Sequence, residues 1–595
     1  MIYNGGTYRA GKGTFTFRST GSGATAQTAL QAFLAGVPFQ GVNFVGNPNV
    51  HITDWGYAGF AQDDWRITPR LTLNLGLRYE YVTPIVEAGN QLANFDPARG
   101  MVQVGKQIDR PYNPDRNNFA PRLGFAWDVT GNGRTILRGG GALIYVLQGF
   151  NVLTSQQGTR AVTTGLNTSP TGALLNGVPG TGNINTGAVT LTGPQLNWTL
   201  AGPIFPSGQV VCTTAAPCPI LAVDPNLRVP YVTSWNLGIQ RQLTHNLALD
   251  VTYVGNHGSK LTHLIDVNAA ALGSGWIGNP AAASVPLENQ GRPYFSKFPY
   301  LSNINTVMNT DRSNYNGLQS TLTERLSHGL NFTVGYTYAH ALDMSAGDWR
   351  GANVPSYSPN PKLEYGNSNY DIRHRFTASV TYALPNKKGF AQMLEGWQLN
   401  SILNVQGGLP WAVVDSSTDV SGTGEGVDRW NFFGNPSGFS GRKDVAIPYF
   451  TGTTNSACLA KATAAGAAAI SSLSKFGCYV AGDSRMLPPA LGSLGNMGNN
   501  IFRGNGIHLL DLSLTKKWRF TERVSAQFRA EVFNVLNVTA YSNPAYNQGG
   551  SGAHNNPTTT SGFGNSTTTP DVQIANPQVG AGAARATQLG LKIIF

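Results

Sequence analysis

Four cysteines, Cys212, Cys218, Cys458 and Cys478, are the residues of this sequence best suited to chemistry. They fall as two close pairs, and four cysteines allow three pairings. No histidine stands at ligand spacing beside either pair, which disfavours a metal site. The expected chemistry is two local disulfides, Cys212–Cys218 and Cys458–Cys478, if the segments face an oxidising compartment. Arg373, His374 and Arg375 form a second constellation. On a strand the two arginines share one face, and His374 joins Phe376 on the other. Such a set could hold an anion or a metal. The simpler reading is a charged strand start paired with carboxylates such as Asp371. Gly139, Gly140 and Gly141 are a third candidate. No helix pattern follows them, so they are no phosphate loop; they read as strand, where glycine relieves crowding. The Asp, His and Ser residues form no recognisable nucleophile motif. No catalytic residue, cofactor or metal ligand is assigned.

The elements that must position these residues have period two. Leu71, Leu73, Leu75, Leu77, Tyr79 and Tyr81 alternate with Thr72, Asn74, Gly76, Arg78 and Glu80. Leu330, Phe332, Val334, Tyr336 and Tyr338 alternate with Asn331, Thr333, Gly335 and Thr337. This is the repeat of strands, not of helices. About fourteen such strands are expected, near 13–18, 56–67, 70–82, 120–129, 134–146, 231–243, 247–256, 314–326, 329–340, 371–384, 395–407, 507–519, 523–534 and 585–595. Short helices are expected near 28–34 and 460–469, neither amphipathic enough to enter a membrane.

Composition narrows the class. Charged residues are 12% of 595 positions, and Gly reaches 72. The charged share is about half the usual value of roughly 25%. A disordered chain would not carry 11 Trp and 22 Tyr. No apolar run is long enough for a transmembrane helix. The net charge of +11 is scattered, so no nucleic-acid patch is read from it.

The last strand is the most telling. Leu589, Leu591, Ile593 and Phe595 share one face, Gln588, Gly590 and Lys592 the other, and Ile594 departs from the pattern. Such a strand could be an ordinary edge in a soluble β-protein. It also suits one tilted bilayer crossing of about ten residues. Closing on Phe595, it resembles the terminal signature of bacterial outer-membrane barrels, which implies an assembly signal for the barrel assembly machinery.

The connections decide between these. Short ones (such as Thr68-Pro69, Ser327-His328 and Phe520-Thr521-Glu522) alternate with long ones near 83–119, 147–230, 257–313, 341–370, 408–506 and 535–584. Soluble sandwiches have no reason to sort loops by parity. Outer-membrane barrels do, with short periplasmic turns and long outer loops. The expected fold is therefore all-β, an antiparallel transmembrane β-barrel in the outer membrane of a Gram-negative-type bacterium. Its surroundings would be lipid and lipopolysaccharide, with aromatic residues such as Trp65, Trp127, Trp397 and Trp518 at the interfaces. Both cysteine pairs then lie outside, where disulfides persist.

Several segments resemble one family. The stretch from Tyr57 through Gln62-Asp63-Asp64-Trp65 into Leu71-Thr72-Leu73-Asn74-Leu75-Gly76-Leu77-Arg78-Tyr79-Glu80 resembles a hairpin of TonB-dependent outer-membrane receptors. Ala120-Pro121-Arg122-Leu123-Gly124-Phe125-Ala126-Trp127-Asp128 resembles the next strand. Tyr370-Asp371-Ile372-Arg373-His374-Arg375-Phe376 and 528–537 are similar to the Oar-like branch. The resemblance implies a barrel of roughly 22 strands around an amino-terminal plug, with ligand uptake driven by a TonB-type energy transducer. Met1-Ile2-Tyr3-Asn4-Gly5-Gly6 is no signal peptide, and neither plug nor coupling box is recognisable. Residues 1–595 are thus expected to be the carboxy-terminal portion of one barrel domain. The alternative is a surface barrel for adhesion or envelope structure. A soluble secreted β-protein is a distant third. The ligand is not legible.

Overall fold

The computed structural model describes residues 2–7, 14–19, 28–35, 40–46, 49–90, 92–146, 172–183, 188–192, 197–199, 202–204, 214, 217–277, 285–344, 355–386, 392–425, 427–544, 554–558, 562–566, 568–569 and 584–595. Its largest sheet has fifteen strands, two of them off the main path, so thirteen follow one line. These wall strands are β1 (Gly56–Thr68), β2 (Leu71–Val82), β3 (Asn118–Asp128), β4 (Thr135–Tyr145), β5 (Tyr231–Gln242) and β6 (Leu247–Asp266). They continue with β7 (Leu301–Ser327), β8 (Leu330–Asp343), β9 (His374–Ala383), β10 (Trp397–Gln406), β11 (Ile507–Arg519), β12 (Ser525–Phe533) and β13 (Ala586–Ile594). Each pairs antiparallel with the next wall strand. Among the described residues β1 and β13 are not paired with each other, and the sheet is open.

A meander of this kind puts alternate connections at opposite ends. The short turns, such as 69–70 and 328–329, share one end. The long connections, such as 83–117 and 407–506, share the other.

One expected strand does not join the wall. Thr14–Thr16 pairs with Gln40–Gly46 in a separate six-stranded sheet. Three residues are too few to cross a bilayer, which takes about ten. Two strands are longer than their alternating segments. β6 continues to Asp266 and β7 begins at Leu301. Strict alternation fades there because both faces are covered: Leu264, Ile265, Ile304 and Val307 are all buried. Strand Cys218–Val223 runs parallel to the start of β7 and covers part of it.

The helices follow local chemistry. At Ala29–Leu34, Thr28 and Gln31 form a reciprocal capping box. The alanine-rich stretch makes two helices, Ser456–Ala465 and Ala467–Phe476, rather than one. Gly466 separates them with φ of 105°, a conformation that favours glycine.

Candidate functional site: the polar face and the long-loop lobes

The wall has one apolar and one polar face. On the apolar face, Leu73 lies opposite Phe125, Leu75 opposite Leu123, and Leu237 opposite Tyr253. Leu589 and Leu591 are each 68% exposed to the surroundings. A large apolar surface of this kind needs an apolar solvent. Its two ends carry different aromatics. Trp65, Trp127, Trp397 and Trp518 lie toward the short turns. Tyr57 and Tyr81 stack at 6.2 Å toward the long connections, where Tyr145 and Tyr231 meet at 5.8 Å. This is the amphipathic girdle of a membrane protein. Lys516 sits within it. Its Nζ donates to the carbonyls of Gln392 and Glu395, 5.6 Å from the Trp397 ring and 5.3 Å from Trp518. The ammonium thereby reaches polar groups at the short-turn end.

The polar face of β1–β5 is a shallow trough of about 330 Å³. One row across it is Asp64, Asn74, Gly124, Gly140 and Asn236; the next is Gln62, Gly76, Arg122, Ala142 and Ser234. Asn74 Nδ2 donates to Asp64 Oδ1 at 2.5 Å. The glycines keep this wall thin. A Cβ on Gly139 would sit 2.6 Å from Phe125 Cε1, and one on Gly140 3.0 Å from the Leu123 carbonyl. The glycine triplet therefore belongs to a strand, β4, and relieves crowding between strands.

At the other end of the strands, the long connections fold into packed lobes. One core joins Ile52, Ile85, Leu92, Val104, Leu221, Val223 and Leu264. A neighbouring core joins Phe95, Met101, Phe298 and Leu301. Both include residues at the long-connection ends of the wall strands, Leu264 of β6 in the first and Leu301 of β7 in the second. A second lobe, on the connection between β10 and β11, gathers Trp411, Trp430, Phe439, Tyr479 and Phe502, with Phe563 from the β12–β13 connection. Cys458 and Cys478 are joined by a disulfide with Cα atoms 6.6 Å apart. Both are buried against Ala462, Leu473 and Leu487, so the bridge ties the helical pair to a small sheet. Cys212 and the Cys218 side chain lie outside the described residues.

The two lobes meet through polar groups. Gly273 N–H donates to the Ser421 carbonyl at 2.8 Å, Gly275 N–H to Gly422 at 2.9 Å and Trp276 Nε1 to Asp419 O at 3.0 Å. Arg292 is buried and donates to Asp266 Oδ2 at 3.0 Å and to the Asn268 carbonyl at 2.9 Å. Asn303 also donates to Asp266 Oδ2, at 2.8 Å. Ser358 N–H reaches both Glu425 oxygens. Burial pushes the Glu425 carboxyl up to about 7. Beside this network lies a cavity of about 450 Å³ lined by Glu288, Asn289, Arg292, Phe295, Ser302 and Asn303, among others.

At the long-connection rim, Asp371 is the partner of Arg373, at 2.9 Å, and of Arg503. It also accepts from Ala341 N–H at 2.7 Å. Burial opposes its charge, but these donors hold the carboxyl below its ordinary range. His374 turns to the apolar face, where Tyr336 Oη lies 2.8 Å from Nδ1 and the Tyr338 ring 5.0 Å away. The arginines and the histidine thus serve different faces. Phe595 is 94% exposed beyond β13. Sequence reasoning missed the lobe interface. Its one signal was the polar, glycine-rich run Asp415-Ser-Ser-Thr-Asp419-Val-Ser-Gly-Thr-Gly-Glu425, whose partners lie far away along the chain.

No curated protein matches the sequence. Among solved structures, the ferripyoverdine receptor of the outer membrane of Pseudomonas aeruginosa is similar at 10% identity, covering 92% of this chain and 39% of that chain, with a TM-score of 0.37. The alcaligin outer membrane receptor FauA of Bordetella pertussis is similar at 10% identity, 83% and 47% coverage and a TM-score of 0.31. The copper transporter OprC is similar at 10% identity, 94% and 48% coverage and 0.36. This chain thus spans less than half the length of each. The family described as outer membrane beta barrel domain matches residues 2–576. An antiparallel meander with one apolar face and loops sorted by length agrees with that match, and the chain belongs to the outer membrane β-barrel domain family.

Proposed function

We propose that this chain is the barrel portion of a TonB-dependent, Oar-like receptor that takes a scarce ligand across the outer membrane. The observation that carries this reading is the gathering of every long connection at one end, above a wall whose other face is polar. The lobes are then extracellular and meet the ligand first. The polar trough lines the path beneath them. Energy from the inner membrane would arrive through a plug carried by another part of the full-length protein. The test is uptake in the native bacterium, using labelled metal chelates and oligosaccharides. Loss of the gene and loss of the energy transducer should abolish accumulation of the same compound. Accumulation that survives removal of the transducer would overturn the reading.

A second reading, a surface barrel for adhesion or envelope structure, is favoured by one feature. The lobes pack around apolar cores of their own, which suits a fixed docking surface. It predicts attachment defects on gene loss and no uptake defect.

A further inference from the structure

Glu288 and Asp419 meet across the two lobes at Gly424: the Gly424 N–H donates to Asp419 Oδ2 at 3.0 Å, a Cβ there would lie 2.9 Å from Glu288 Oε2, and the two side chains are hydrogen-bond partners. Two carboxyl groups can share such a bond only if one of them carries the proton. Glu288 belongs to the short helix Val285–Gln290, on the connection between β6 and β7. Asp419 belongs to the connection between β10 and β11. We propose that this pair is a proton-dependent clasp that holds the two outer lobes closed against each other.

The surroundings leave little to replace the proton. From the first lobe, Glu288 faces Arg292, and Arg292 is already engaged by Asp266 at 3.0 Å. From the second lobe come Asp415, Asp419, Glu425 and Asp428. Lys475 lies over the Trp276 ring, 4.9 Å from its centre. Arg429 is taken by Glu364. Among the described residues, carboxyl groups thus far outnumber the cations that face them here. The oxygens of Asp419 also accept from Thr423 N–H at 3.1 Å and Gly424 N–H at 3.0 Å. A Cβ at Gly424 would lie 2.9 Å from Glu288 Oε2, so the two segments touch closely here.

Burial, followed by the Asp419 charge, pushes Glu288 up to about 7 from an ordinary 4.5. Burial also pushes Asp428 up to about 7, with Asp419 and Asp415 adding to it. The closed lobes therefore bind more protons than the separated ones between about 4.5 and about 7. By linkage, closure is fully supported below that window, weakens as pH rises through it and stays weak above it. Raising one carboxyl from 4.5 to about 7 changes the closing equilibrium on the order of 100-fold across the window. The cavity lined by Glu288, Arg292 and Gly424 would open with the clasp. That the lobes are outer rests on the outer-membrane orientation proposed above; the clasp itself does not depend on transport.

Hydrogen exchange of the full-length protein in detergent tests this without any ligand. The amides of Gly273 and Gly275 donate across the interface and report closure. After correction for intrinsic exchange, their protection should fall on the order of 100-fold between about pH 5 and about pH 8.5, while wall amides stay protected. In Glu288→Gln the amide donates to Asp419 without a titrating proton, so protection should fall far less with pH than in the wild type, the remaining dependence coming from Asp428 and Glu425. In Glu288→Ala it should be low throughout. A wild-type protein with no pH dependence, or a Glu288→Gln variant that follows the wild-type profile, would overturn the clasp. If Glu288→Gln does not assemble, infrared difference spectra of the wild type decide. A protonated-carboxyl band that vanishes near about pH 7 supports the clasp, and its absence above about pH 5 rejects it. Transport can fail with the clasp intact, and the clasp can fail with transport intact.

Discussion

At the scale of single residues, a few positions tolerate only one kind of side chain. Arg292 and Asp266 are 3% and 0% exposed at their side chains and bonded at 3.0 Å. Replacing Arg292 by Met leaves the Asp266 charge buried beside further carboxylates. The expected cost is about 3–5 kcal/mol of lobe stability. Exchange protection across 266–304 should collapse while β1–β4 remain protected; unchanged protection would show the pair to be dispensable. Gly139 is constrained by crowding instead. A valine there would collide with the Phe125 ring and the Asn236 carbonyl. A loss of about 1–3 kcal/mol is expected for overpacking, read as a lower temperature for the folded-to-unfolded gel shift. A variant with the wild-type transition would mean that the wall yields easily at that point.

Elements carry two further expectations. The disulfide Cys458–Cys478 closes a stretch with a sequence separation of 20. Such a link stabilises by about 3 kcal/mol, chiefly by restricting the unfolded loop. Replacing both cysteines by serine should loosen 456–481 to proteolysis and leave the wall strands intact. We propose the same local pairing for Cys212 and Cys218, which non-reducing peptide mapping would detect as a Cys212–Cys218 link; free thiols would reject it. The second element is β13. Its apolar row pairs with β12 through Ala530–Leu589, Phe528–Leu591 and Ala526–Ile593, and Phe595 extends the row. Deletion of Phe595 should lower the amount of protein in the outer membrane and raise degraded intermediates. Normal assembly without it would show the ring to be incidental.

For the whole molecule, the apolar belt sets the solvent. Leucines and aromatics exposed along many wall strands would cost heavily in water, at about 25 cal/mol per Å² of apolar surface. The native protein should fractionate with the outer membrane and show heat-modifiable mobility. Recovery of the full-length protein as a soluble periplasmic species would contradict the placement. The two lobes on the long connections are the other molecular feature. Packed cores hold each together, while hydrogen bonds and charges join them. Interfaces of that polar kind are the ones that open.

The sequence alone determined the wall. Period-two alternation at 71–81 or 330–338 is a local property, because successive side chains on a strand point to opposite faces whatever lies nearby. Loop parity was equally legible, since it needs only distances along the chain. The alternation misjudged β6 and β7, whose long-connection ends are covered on both faces, and it read Thr14–Thr16 as wall when a separate sheet takes it. What only the tertiary structure decided is the lobe interface. Glu288 and Asp419 are far apart in sequence, and neither sits in a periodic pattern. Each alone reads as a solvated loop acid. Their meeting depends on how two long connections pack above the strands, and packing between distant loops leaves no period in either one.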